Sequence, residues 1–159
     1  YLSNGTKINY SFLIFTGGIE ASKIEEESNI EINSRGQYIV NEYLQTKEYE
    51  NIFAVGDIAQ IKNDKDEIMP PNVTIARITG TIAGKNILNK INNKELIKCN
   101  PKLEGILIAL GGKYAVGDLY GIVQIKGILA YLIKKYVFSS YREPLLKLIK
   151  IGYSRLKKQ

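Results

Sequence analysis

Histidine and tryptophan are absent from this 159-residue chain, cysteine and methionine occur once each, and there are four prolines. A zinc site built from His and Cys is therefore excluded. The lone Cys99, beside Asn100 and Pro101, reads as a free thiol without a chemical role. No GxGxxG pattern occurs, so neither of the glycine turns that cradle a dinucleotide diphosphate is present. Nor does any apolar run approach the roughly 20 residues of a membrane-spanning helix, because Lys134 and Lys135 interrupt the longest candidate soon after Gly127.

What is present is an uneven division of charge. The formal total is +6, yet residues 1–67 hold twelve acids and six bases, whereas residues 126–159 hold nine bases and one acid. A basic end points to an anionic surface as partner. No nucleic-acid motif accompanies it, so nucleic acid is not expected. The length accommodates one domain and a small second one.

The most specific stretch is NIFAVGDIAQ, Asn51 to Gln60. Ile52, Phe53, Ala54 and Val55 predict a short strand buried on both faces of a parallel sheet, with Gly56 and Asp57 at its carboxyl end, where open α/β sheets bind ligands. Gly56 lets the backbone approach a ligand closely. An ionised aspartate accepts hydrogen bonds only, so Asp57 suits ligand hydroxyls such as those of a polyol chain.

Pro70 and Pro71 then precede a predicted helix to about Ile91, capped by Asn72 or Thr74. Small residues Ala76, Gly80, Ala83 and Gly84 are expected on one side, with Ile75, Ile78 and Ile82 on another. Its first residues, Pro71, Asn72, Val73, Thr74 and Ile75, would aim N–H groups and partial positive charge at the Asp57 turn. On Gly56 and Asp57 alone, an ordinary strand-to-turn boundary accounts for the stretch equally well.

Four segments taken together, FLIFTGGI (Phe12 to Ile19), GQYIVNEYLQT (Gly36 to Thr46), NIFAVGDIA (Asn51 to Ala59) and MPPN with its helix, resemble the C-terminal half of a flavin-dependent pyridine-nucleotide oxidoreductase. The superfamily is that of the FAD-dependent pyridine nucleotide-disulfide oxidoreductases, and the tail is similar to that of the type II NADH dehydrogenases, which are NADH:quinone reductases. The resemblance implies FAD as cofactor, Asp57 bonded to its ribityl chain, Gly56 permitting the approach, and residues Pro71 to Ile75 beside the ring. It implies that Thr16, Gly17 and Gly18 lie at the crossing between the nucleotide and flavin domains. NADH and a quinone are the implied substrates, and the implied place is peripheral, on the cytoplasmic face of a bacterial inner membrane. The sequence departs from the type II dehydrogenases at Val73 and Thr74, where they place an Ala-Gln pair; Thr74 lacks the reach of an amide. The missing histidine sets it apart from the disulfide reductases of the superfamily, and the missing cysteines from sulfide:quinone reductases.

The tail carries its own pattern. Ile106 to Leu110 and Lys113 to Val116, joined at Gly111-Gly112, predict a hairpin. A helix is expected from Gly127, with Leu129, Leu132, Ile133 and Tyr136 on one side, and a second from Pro144, with Leu145, Leu148 and Ile149 sharing a side opposite lysines. Apolar stripes flanked by lysine and punctuated by tyrosine predict helices lying in a membrane surface. Packing on the protein itself or on a second copy in a homodimer is the competing reading.

The expected fold is α/β: the C-terminal fragment of a flavoprotein with two dinucleotide-binding domains, followed by a small α+β domain ending in amphipathic helices. Residues 1–20 would close the NAD-binding domain, 21–95 belong to the FAD-binding domain, 96–126 form a β-rich region and 127–159 the membrane-surface helices. The absent glycine turns and the start at Tyr1 without a methionine suggest a carboxy-terminal piece, inactive alone. Two rivals stand beside the NADH dehydrogenase: a soluble FAD-dependent NAD(P)H reductase with another acceptor, and a non-enzymatic interaction module.

Overall fold

The computed structural model describes residues 1–14, 16–18, 20–21 and 29–156, with side chains in the last helix described to Lys147 and at Ile149. The chain divides into two compact units, Tyr1–Asn100 and Pro101–Gln159.

The first unit is built on tight corners rather than long strands. At Asn33, Asn41 and Asn63 the same arrangement recurs. The Asn Oδ1 accepts from the backbone N–H two and four residues on, its Nδ2 donates to the side chain four residues on (Gln37, Gln45 or Glu67), and its carbonyl accepts from the residue between. Such side-chain bonds let the backbone turn without a ladder. Antiparallel bridges flank each corner: Ile32 with Tyr38, Val40 with Thr46, and Lys62 with Ile68.

The GQYIVNEYLQT stretch is consequently not one strand. It contributes β1 (Tyr38–Ile39) and is then broken by the Asn41 corner. β1 pairs in parallel with β2 (Ala59–Gln60), which follows Asp57 instead of preceding it. This corrects the expected strand at Ile52 to Val55: Ile52 is exposed, Phe53 makes one antiparallel bridge to Gln45, and the Ala54 N–H donates to the Leu44 carbonyl at 3.1 Å. Partners on the preceding corner, not a parallel neighbour, capture the segment. No strand occurs among the described residues before Tyr38, and Phe12 is 82% exposed; Phe15 and Ile19 lie outside the described residues.

Helix α1 (Val73–Ile91) begins where the sequence indicates, with Asn72 Oδ1 accepting from the Ile75 N–H at 2.9 Å. Its buried stripe is Ile75, Thr79, Ala83 and Asn86, at helical spacing but half polar. Gly80 and Gly84 are exposed, so the small residues do not form the packed face expected of them. The stripe closes a core of Leu44, Ala54, Ala59, Ile61, Ile75, Ala83 and Cys99, and burying Ile75 alone contributes about 2 kcal/mol.

In the second unit the hairpin forms as β3 (Gly105–Gly111) and β4 (Tyr114–Leu119), turning at Gly112-Lys113, and a third strand that the sequence reading did not separate, β5 (Val123–Gly127), completes an antiparallel sheet in the order β3-β4-β5. Gly117 sits at its centre because a Cβ there would lie 2.4 Å from Leu107 Cδ2 and 2.9 Å from the Ile106 carbonyl. Helix α2 runs unbroken from Ile128 to Leu156 with Pro144 inside, which corrects the two helices expected. One proline costs a long helix a hydrogen bond and a bend, not its continuation.

Candidate functional site

A cleft of about 290 Å³ in the first unit is lined by Gly17 and Gly18, by Asp57, by Pro71 ahead of α1, and by Glu20, Ala21, Arg35 and Gln37. Residues from all four motif segments thus meet in one place. Asp57 stands in a single turn of 3-10 helix, Gly56–Ile58, reached through Gly56 at φ +67°, in the left-handed region that favours glycine. A Cβ at Gly56 would lie 3.4 Å from that of Ala76, so the turn rests closely on α1. The Asp57 side chain is exposed to the cleft, and no hydrogen bond or ion pair holds its carboxylate among the described residues.

The remaining predicted residues divide. Asn72 is half-buried and spends its side chain on the helix cap, Val73 is exposed, and Thr74 is half-buried. Ile75 is buried in the core and cannot face a ligand. Thr16 is exposed and is not part of the cleft lining. The sequence reading missed Gln37, Arg35, Glu20 and Ala21, which line the cleft, and Thr79, which supports it. Thr79 carries a signal that was available, a polar residue four positions after Ile75 on the same helical face.

Two other hollows carry less chemistry. One of about 560 Å³ lies on the second unit's sheet and is lined mainly by Ile106, Ile108, Val116 and Ile125, with Asp118 and Lys126. Another, of about 450 Å³, includes Cys99 and the surface pair Lys98–Glu42 at 2.9 Å, whose hydrogen bond lowers the Glu42 pKa and raises that of Lys98. Cys99 is 6% exposed, and burial pushes its thiol up to about 11, which makes it inert at neutral pH. Because the unfolded thiol ionises near 9 and the folded one only near 11, the folded protein holds a proton that the unfolded chain has lost. Its contribution to stability is therefore intact below pH 9 and lost as the pH rises to about 11. The difference in unfolding free energy between the parent and Cys99→Ala, followed across that window by urea titration, is expected to shrink; a constant difference would show that the thiol is not held protonated.

Among the described residues no group of His, Cys, Asp and Glu could hold a metal ion, and no helix is long and apolar enough to cross a membrane. In α2, Leu129, Leu132 and Tyr136 are exposed, as are Leu145 and Ile149; Ile133 is half-buried, and the Leu148 side chain lies outside the described residues. At about 100° per residue the first three and the last two point to nearly opposite sides of a straight helix. The sheet-facing stripe contains Ala130, fully buried, and Lys134, whose ammonium donates to the Leu107 carbonyl at 2.7 Å and is not a solvated surface charge.

The first unit thus brings a glycine-aspartate turn, the proline ahead of α1 and a Gly-Gly segment to one cleft. The sequence pattern of the family described as Pyridine nucleotide-disulphide oxidoreductase matches residues 1–84, and the chain belongs to that family. It is 29% identical over 117 residues to a type II NADH:quinone oxidoreductase of Haemophilus influenzae, covering 73% of this chain and 26% of that protein. It is 30% identical over 123 residues to a probable NADH dehydrogenase of Dictyostelium discoideum, covering 77% and 26%. Ferroptosis suppressor protein 1 of Mus musculus is 29% identical over 119 residues, covering 74% and 30%. The chain thus spans between a quarter and a third of the length of these curated relatives.

Proposed function

We propose that the first unit supplies the ribityl-binding end of an FAD site in an enzyme that oxidises NADH and reduces a quinone. The observation that carries this reading is the convergence of Gly17, Gly18, Asp57 and Pro71 on one cleft. A cleft of about 290 Å³ takes the arm of a ligand, not a whole dinucleotide. Its polar groups suit such an arm: a carboxylate without a partner among the described residues accepts from hydroxyls, and Gly56 keeps the backbone close. The glycine turns for the two diphosphates are not among these 159 residues, and the reading places them elsewhere in the complete protein.

The bound flavin would supply the hydride and electron chemistry. This chain's part is to bind and orient: Asp57 holds the sugar-alcohol arm, and the amino end of α1, beside Pro71, places partial positive charge near it. Val73 and Thr74 offer no side-chain amide to an acceptor, and the Thr74 hydroxyl has a shorter reach. The visible spectrum of the purified intact protein tests the reading. Flavin absorption that NADH bleaches and a quinone restores is the expected result, and a colourless protein that cannot be reconstituted with FAD would overturn it.

For the second unit we propose that Leu129, Leu132 and Tyr136 meet the membrane surface, with Leu145 and Ile149 joining if α2 bends at Pro144. Two features support this: large apolar side chains stand exposed along α2, and Lys135, Arg142 and Lys147 are exposed near them. Each such cation near an anionic surface contributes about 1 kcal/mol. Deleting residues 140–159 is expected to weaken flotation with anionic vesicles, most clearly at high salt where the apolar contact dominates. Unchanged partitioning would reject the role of that segment.

A further inference from the structure

The turn that presents Asp57 has little to hold it from within. It is one turn of 3-10 helix, entered without a side-chain cap, and Gly56 confers freedom on it. Two contacts from other elements fix it instead. The Gly56 N–H donates to Thr79 Oγ1 at 3.1 Å, and Gln37 Nε2 donates to the Asp57 carbonyl at 3.1 Å.

Both anchors are themselves oriented. Thr79 is fully buried, and its single hydroxyl proton is given to the Ile75 carbonyl at 2.8 Å, which turns the oxygen's lone pairs toward Gly56. Gln37 is 9% exposed. Its Oε1 accepts from Asn33 Nδ2 at 3.0 Å, which fixes the amide so that its donor faces Asp57, and the Asn33 amide also reaches Gln60 Oε1 at 2.8 Å.

We infer that Thr79, with Gln37 as its counterpart, is a positioning residue of the ligand site: it sets the Asp57 carboxylate against the amino end of α1 without touching the ligand. The inference rests on the flavin reading given above. One hydroxyl ties the turn that bears the carboxylate to the helix whose dipole serves the same ligand, so the spacing between the two is fixed before the ligand arrives.

The test compares Thr79→Val and Thr79→Ser with the parent in the intact protein. Valine matches threonine in shape but leaves the Gly56 N–H without an acceptor, whereas serine keeps the hydroxyl. FAD affinity, read by quenching of free flavin fluorescence, is expected to fall about tenfold in Thr79→Val and to return in Thr79→Ser. The visible band of the bound flavin is expected to shift in the valine variant alone. A residue that only supports the fold would lower the melting temperature and leave the affinity of the folded protein and its spectrum unchanged, and that result would overturn the inference. Should Thr79→Val fail to fold, Gln37→Glu removes the other donor and is judged by the same outcomes. Absence of flavin from the parent would instead overturn the flavin reading, and this inference with it.

Discussion

Asp57→Ala in the intact protein is expected to weaken FAD binding by roughly ten- to a hundredfold while leaving the fold in place. The size follows from the chemistry of the contact. A hydrogen bond to a charged group contributes about 1.5–3 kcal/mol, and a carboxylate facing a polyol offers two acceptor oxygens to its hydroxyls. The preservation of the fold follows from the position. No hydrogen bond or ion pair engages the Asp57 carboxylate among the described residues, and its backbone carbonyl, which Gln37 does engage, survives the substitution. Exposed side chains of this kind change stability by about 0.5 kcal/mol or less. Equilibrium dialysis with FAD measures the first quantity and thermal unfolding of the flavin-free protein the second. Full flavin content with normal NADH oxidation in Asp57→Ala would refute the assignment. A collapse in stability without altered affinity would move Asp57 from ligand binding to structure.

The two features of the site most legible in the sequence were those with a local cause. Asn72 caps α1 because an asparagine after two prolines has no better use for its side chain, and Gly56 precedes Asp57 because the chain must pass through a left-handed conformation there. The hairpin was legible for the same reason, though its turn falls one residue later than expected, at Gly112-Lys113. Features decided by distant partners were not. Apolar Ile52 to Val55 read as a buried parallel strand, but Leu44 and Gln45, held in a corner by Asn41, pair with it instead. Leu44 itself adopts φ +70° and is 1% exposed, so core burial overrides a backbone preference that no local pattern would have set aside. Pro144 read as the start of a helix and lies within one, because a proline at the first turn and a proline in a long helix look alike without knowledge of where the helix began. Gln37 and Arg35 entered the cleft through the folding of residues 33–37 around Asn33, a tertiary outcome that spacing from Asp57 does not encode.

Asn86→Leu is expected to destabilise the first unit by about 3–4 kcal/mol, a large share of the 5–15 kcal/mol that holds a typical domain. Asn86 is fully buried on α1, and its amide bridges the Tyr43 corner, 43 residues away, and the segment at Ile97, 11 residues on. Nδ2 donates to the carbonyls of Tyr43 at 3.0 Å and Ile97 at 2.9 Å, while Oδ1 accepts from the Ile97 N–H at 2.8 Å. Leucine is close in volume, so the change opens no sizeable cavity. It leaves three backbone groups without partners, each worth about 1–3 kcal/mol, less than additively because two belong to Ile97. Asn86→Asp separates packing from polarity. It retains the acceptor for Ile97 but turns a carboxylate toward two carbonyl oxygens, which raises its folded pKa above the unfolded value. The cost of the aspartate is therefore full when the pH exceeds that folded pKa, shrinks as the pH falls through it toward the unfolded value, and is least below that value, where both states are protonated. Guanidinium titrations of both variants decide the matter: midpoints are expected to fall with little change in slope, and only that of Asn86→Asp is expected to recover toward the parent in acid. Because Tyr43 sits in the corner that delivers Leu44 to the core and Ile97 precedes the buried Cys99, the same three bonds join α1 to both. A variant that loses less than about 1 kcal/mol would mean that water or a shifted backbone satisfies those groups instead.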